Sequence, residues 1–121
     1  MEAAESYKSN YDRYSIHMEK GEFIDAVKCI NYLVDKIPNN QQLKMYKVES
    51  LAKTGDTADA LTLIKTIPIA NQSNPDFWYL KGIIELYGGE SFRAKKYFTE
   101  GLRLDPDHNN CRLSLNKAKK C

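Results

Sequence analysis

Small and apolar residues recur along this chain with a period of 34. The pairs Gly21-Glu22, Gly55-Asp56 and Gly89-Glu90 stand one period apart, and five positions after each glycine comes an alanine: Ala26, Ala60, Ala94. Four residues further on stand Ile30, Ile64 and Phe98, while Pro38 and Pro106 lie two periods apart. Residues four apart share a helix face. The alanine therefore lets two helices approach closely, and the bulky residue fills the space beside it. The glycine supplies a turn conformation that residues with a β-carbon adopt poorly. The pattern predicts three contiguous units, 7–40, 41–74 and 75–108, each a helix, a short turn and a second helix. A tail, 1–6, precedes them and a final helix, 109–121, follows.

Boundary residues agree with this division. Asn74, Pro75 and Asp76 form a helix start in which the asparagine caps, the proline takes the first helical position and the acid lies in the first turn. Asp56 is a similar, weaker cap. Pro38 and Pro106 cannot supply the amide proton that a continuing helix needs. Pro68 predicts that the second helix of the middle unit stops near Thr66 or Ile67, with a longer loop through "IANQSN" behind it. The stretch Asp105-Pro106-Asp107-His108 falls where the third unit ends. It reads as punctuation, with Asp107 and His108 in an exposed connector, because a metal site needs three or four converging ligands.

Beyond that connector, Asn109 or Asn110 can cap a last helix. Cys111, Leu115 and Ala118 line one of its faces and can cover the end of the array. Arg112, Lys117, Lys119 and Lys120 make its other face basic, a solvated face with cations near a helix C-terminus. The chain stops on this helix, which suggests a piece of a longer protein.

Composition narrows the function classes. The 121 residues fit one small domain, 42% hydrophobic and 28% charged, and a net charge of +2 implies no strong attraction to nucleic acid or to an anionic membrane. The N-terminal "MEAAESYKSNYDRYS" is too polar for a secretory signal and too acidic for a transit peptide. Cys29, Cys111 and Cys121 are odd in number and lack CxxC spacing, so they read as reduced thiols in a cytoplasmic protein rather than as a disulfide framework or a zinc site. Cys29, beside Ile30, looks packed. No nucleophile–base pair, phosphate loop or ligand cluster is visible, so neither an enzyme nor a cofactor is expected.

The third unit carries Trp78, Gly82, Ala94, Phe98 and Pro106, and so resembles the tetratricopeptide repeat, a 34-residue helix–turn–helix with W-x2-L-G, A-x3-F and a late proline. Lys81 stands where that family usually has Leu, and Val48 replaces the first-helix glycine in the middle unit. The resemblance implies an all-α fold, three repeats in a right-handed superhelix plus a capping helix, with the first helices lining a concave binding face. By register, that face holds Lys8, Tyr11, Asp12 and Ser15; Gln42, Met45, Tyr46 and Glu49; and Asp76, Tyr79, Leu80 and Ile83, with Leu86 and Tyr87 continuing the third row. Tyr11, Met45, Tyr46, Glu49, Tyr79, Leu80, Ile83 and Tyr87 are the candidate ligand-binding residues. The tyrosines either form part of a peptide surface or pack between helices. Met18 and Met45 read as gap fillers, and Trp78, beside Phe77, as core.

Many grooves of this family hold acidic C-terminal tails with a clamp of Lys, Asn and Arg. At the matching positions this chain has Tyr11 and Ser15, then Tyr46, then Asp76 and Leu80, none of them a cation. Arg13, Lys47 and Lys81 recur at a position facing out of the groove. No clamp is expected.

"MYKVESLAKTGD" and "WYLKGIIELYGGESFRAKKYFTEGLRLDPDH", followed by Cys111 and "NKAKK", resemble the middle repeats of co-chaperones of the DnaJ homolog subfamily C type, the member 7 kind first and the endoplasmic-reticulum member 3 kind second. The J-domain tripeptide His-Pro-Asp is not present, since the order here is Pro-Asp-His. The resemblance implies a protein-interaction scaffold whose partners are chaperones of the heat-shock 70 and 90 classes, reached through the full-length protein, or client polypeptides. Its alternative is a spacer between flanking clamp-bearing repeats. A monomer, or a weak dimer made by cutting the array, is expected.

Overall fold

A computed structural model of the chain describes residues 2–120, with side chains at 7–68 and 71–120. Among them there are seven α-helices and no strand: α1 (Glu2–Lys20), α2 (Phe23–Lys36), α3 (Gln41–Lys53), α4 (Thr57–Ile64), α5 (Pro75–Tyr87), α6 (Ser91–Leu104) and α7 (Asn109–Lys119). The helices α1–α2, α3–α4 and α5–α6 pack as successive hairpins, and α7 lies against α6 and α5. Each hairpin turns on a glycine with positive φ, Gly21 at 75°, Gly55 at 92° and Gly89 at 86°, and no non-glycine residue among those described has positive φ. This is the left-handed region that costs an L-residue about 1–2 kcal/mol, which is why glycine recurs there.

The helix starts are fixed as the local chemistry requires. The Asn40 side chain accepts from the Leu43 amide at 3.0 Å, and the Asn74 side chain accepts from the Asp76 amide at 2.9 Å with Pro75 at the first helical position. Asp56 accepts from the Asp59 amide at a longer 3.4 Å. Pro38 follows the end of α2, and Pro106 follows the end of α6.

Ala26, Ala60 and Ala94 are each fully buried, as are Ile30 and Phe98. Gly82 faces the Phe98 ring so closely that a β-carbon would collide with it. The interior forms two clusters. Tyr14, Ala26, Cys29, Ile30 and Leu33 fill the first hairpin. A larger cluster runs without a break through α3–α6 into Cys111 and Ala118 of α7. Leu115 packs against it half-buried, completing the expected capping stripe. Cys111 fits because residue 101 is glycine, where a β-carbon would stand 2.5 Å from its sulfur.

Several local expectations are corrected. The stretch expected as a tail is helical from Glu2, because nothing in it breaks a helix. Helix α4 ends at Ile64, short of Thr66, and the expected loop contains a 3-10 helix at Ile69–Ser73. Neither Asn109 nor Asn110 caps α7: His108 does so, through its ring. Trp78 is only partly buried, lying against Tyr97 at 6.0 Å and donating from Nε1 to the Gln72 carbonyl at 2.6 Å. Cys29 and Cys111 are buried free thiols, each pushed up by burial, Cys111 to about 12. Cys121 lies outside the described residues.

Candidate functional site

The first helices of the three hairpins, α1, α3 and α5, carry the residues of a concave groove. One cleft of about 240 Å³ lies among Gln42, Met45, Tyr46, Glu49, Asp76, Tyr79, Leu80 and Asn110. A second of about 330 Å³ lies among Tyr11, Tyr14, Ser15, Met18, Glu19, Tyr46, Glu49 and Lys53. The two share Tyr46 and Glu49, so they adjoin on α3.

Of the eight candidates, Met45, Tyr79 and Leu80 are buried and form floor, Ile83 is buried in the core, Tyr11 is 40% exposed, and Tyr46, Glu49 and Tyr87 are half-buried. Ile83 and Tyr87 line neither of these two clefts. Lys8 and Asp12 are exposed and likewise lie outside both linings.

Tyrosines build the first half of the groove. Tyr46 lies 5.9 Å from Tyr11 and 5.4 Å from Tyr14 between ring centroids. The Tyr14 hydroxyl donates to the Tyr46 carbonyl at 3.2 Å, tying α1 to α3. Glu49 organises the second half. Its Oε2 accepts from the Tyr79 hydroxyl at 2.5 Å and sits 3.2 Å from Lys53 Nζ. Burial first, then the Glu49 charge, pushes the Tyr14 and Tyr79 hydroxyls well above the usual phenol range. Tyr46 is pushed up to about 12, chiefly by its hydrogen bond with Tyr11 and then by burial. All three phenols are thereby held in the neutral form.

Asp76 closes the far end. His108 Nδ1 accepts from the Cys111 amide at 3.1 Å, so the ring proton belongs on Nε2, which donates to Asp76 Oδ1 at 2.5 Å. The His108 side chain is only 11% exposed, which corrects the expectation for His108, whereas Asp107 is exposed as expected. Its two nitrogens are both committed, so Asp107 and His108 do not share a site. Asp107 instead donates its amide to the Asp105 side chain. Elsewhere, the ligand atoms of His17, Glu22 and Asp25 lie within 4.8 Å of one another at the α1–α2 turn, where His17 Nδ1 meets Glu22 at 3.0 Å.

Sequence reasoning missed Tyr14, Lys53 and His108. Tyr14 follows Tyr11 by three positions and Lys53 follows Glu49 by four, spacings that place neighbours on a helix surface. The contact from His108 to Asp76 spans 32 residues and has no local signal.

The three cations expected to face away from the groove, Arg13, Lys47 and Lys81, line neither of the two clefts. Lys81 Nζ lies 5.0 Å from the Tyr97 ring centroid and 5.4 Å from that of Trp78. Lys47 lines a separate cleft with Val27, Leu51 and Asp56. The charge of Arg13 acts on the Cys29 thiol, lowering its pKa against the larger effect of burial.

Comparison with known proteins is consistent across sequence and structure. The family model for the tetratricopeptide repeat matches residues 17–84. DnaJ homolog subfamily C member 7 of Homo sapiens is 28% identical over 101 residues, which are 84% of this chain and 20% of that protein. The chain thus spans about a fifth of the length of the curated relatives it matches. Two solved structures share the fold. The second TPR domain of human RPAP3, in complex with the HSP70 peptide SGPTIEEVD, has a TM-score of 0.66 at 19% identity and covers 98% of both chains. The first TPR of Spaghetti (RPAP3), bound to the HSP90 peptide SRMEEVD, has a TM-score of 0.67 at 17% identity and covers 96% of this chain and 92% of its own.

Proposed function

Because the chain belongs to the tetratricopeptide repeat family, we propose that it is a non-enzymatic interaction module of a cytoplasmic co-chaperone. It receives polypeptide segments in its concave groove, with Tyr11, Tyr46, Glu49 and Asn110 at the contact surface over a floor of Met45, Tyr79 and Leu80. We divide it into repeats 7–40, 41–74 and 75–108 with a cap at 109–121. The observation that carries this reading is the adjacency of the two clefts: Tyr46 and Glu49 line both, which places them to receive one extended ligand running from the first repeat to the third. Tyrosine suits the task because it offers a rigid apolar face and a hydroxyl at little entropic cost.

The solved neighbours hold peptides ending in Glu-Val-Asp. For this chain we propose a groove without the cationic clamp that an acidic terminus needs. By its register on the first helix of the third repeat, Asp76, with a side chain 47% exposed, would meet such a terminus with like charge. Lys53 lines the groove but is paired to Glu49. Chaperone partners of the heat-shock 70 and 90 classes would then be reached by other parts of the full-length protein. A heteronuclear NMR titration tests both points. An uncharged apolar peptide should shift resonances of Tyr46, Glu49 and Tyr79, whereas a free Glu-Glu-Val-Asp peptide should shift none. Silence toward every peptide would favour the spacer instead, and a micromolar complex with Glu-Glu-Val-Asp would refute the clampless groove.

A further inference from the structure

The two adjoining clefts carry an excess of acid. Glu19, Glu49 and Asp76 face Lys53 as the one cationic residue among those lining them. Glu49 already holds Lys53 at 3.2 Å on the groove wall, with both side chains under one-fifth exposed. That pair shows that this wall accommodates an ammonium group. Asp76 Oδ1 accepts from His108 Nε2, and the Asp76 side chain stays 47% exposed, so the carboxylate is accessible in one cleft. Glu19 is exposed in the other. Tyr11, 40% exposed, lines the same cleft as Glu19 and lies next to Tyr46, which lines both clefts.

We propose that the groove selects an extended polypeptide segment carrying cationic side chains among apolar ones, one cation directed at Asp76 and another at Glu19. This rests on the reading of the groove as a peptide site and adds its charge preference. Arginine fits better than lysine, because a guanidinium can bind a carboxylate through two N–H groups while stacking on a tyrosine ring. An acidic segment meets like charge at both ends.

The test uses the whole chain and three short fluorescent peptides, acetylated and amidated, alternating leucine with arginine, glutamine or glutamate. The arginine peptide should bind tightest and weaken as salt is raised. Asp76→Asn and Glu19→Gln should each weaken it about threefold to fivefold, the reach of a solvent-accessible ion pair, and leave the glutamine peptide unaffected. Glu19→Gln lies outside the core, so its result stands if Asp76→Asn disturbs the His108 contact. If the glutamine peptide binds as well as the arginine peptide, the charge preference is overturned while the peptide site survives. Preference for the glutamate peptide overturns both the charge preference and the clampless groove. If no peptide binds, the peptide site itself is lost. An arginine complex indifferent to both substitutions places the cation elsewhere and likewise overturns the proposal.

Discussion

Glu49 shows how a single side chain can serve both folding and recognition. Its carboxylate is half-buried, and it accepts from Tyr79 of the next repeat while pairing with Lys53 of its own helix. A hydrogen bond to a charged acceptor contributes about 1.5–3 kcal/mol, more than a neutral one. Tyr79→Phe removes the donor and leaves the packing nearly unchanged. It should lower unfolding free energy by about 1–3 kcal/mol, read as a shift in urea midpoint at unchanged slope. No shift would mean that water replaces the phenol and that the α3–α5 tie is weak. The tyrosine at position 79 and the acid at 49 were both legible as groove residues. Their pairing was not, because a contact across 30 positions leaves no trace in local spacing.

At the scale of elements, the hairpins are not equally secured. The apolar interior of α1 and α2 forms its own cluster, whereas α3–α6 and α7 share one. Val27 and Leu43 lie between the two as half-buried bridges. In a repeat array, stability is a sum of unit terms and neighbour interfaces, and local opening follows the weakest unit. Hydrogen exchange should therefore find the amides of α1 and α2 opening before those of α5 and α6, with exchange at least about tenfold faster, a difference of about 1.4 kcal/mol. Equal protection throughout would show that the tyrosine contacts between α1 and α3 join the units fully. The hairpins themselves could be read in advance from Gly21, Gly55 and Gly89 and from the alanines five residues later. The α7 cap could be read only in part. Its apolar stripe follows helical spacing, but its N-terminal cap is a histidine ring that also reaches Asp76, a role that neighbouring asparagines would have filled more conventionally.

At the scale of the whole molecule, the buried phenols set an alkaline limit. An unfolded tyrosine ionises near its ordinary value of 10.0, while Tyr46 is held at about 12 in the fold and Tyr14 and Tyr79 are displaced upward as well. For a group whose folded pKa is raised, the stabilising contribution is complete below the unfolded value. It is lost as pH rises from about 10 through the folded value, because the unfolded state releases its proton first. Urea midpoints should be flat with respect to this effect below pH 10 and fall steeply between about 10 and 12. Tyr14→Phe should flatten part of that fall. An unchanged midpoint across this range would mean that the three rings are solvated.

The sequence alone determined the repeat, its turns and the composition of its inner face, since period, glycine placement and helix spacing are local properties that each unit states for itself. Tertiary structure decided which acids meet which donors. It also decided that Met45, Tyr79 and Leu80 are floor rather than contact, and that a histidine near the end of the chain meets an aspartate 32 positions before it. Those features depend on how three hairpins curve together, a geometry set by many side-chain volumes at once, including the absent side chain of Gly101 beneath Cys111.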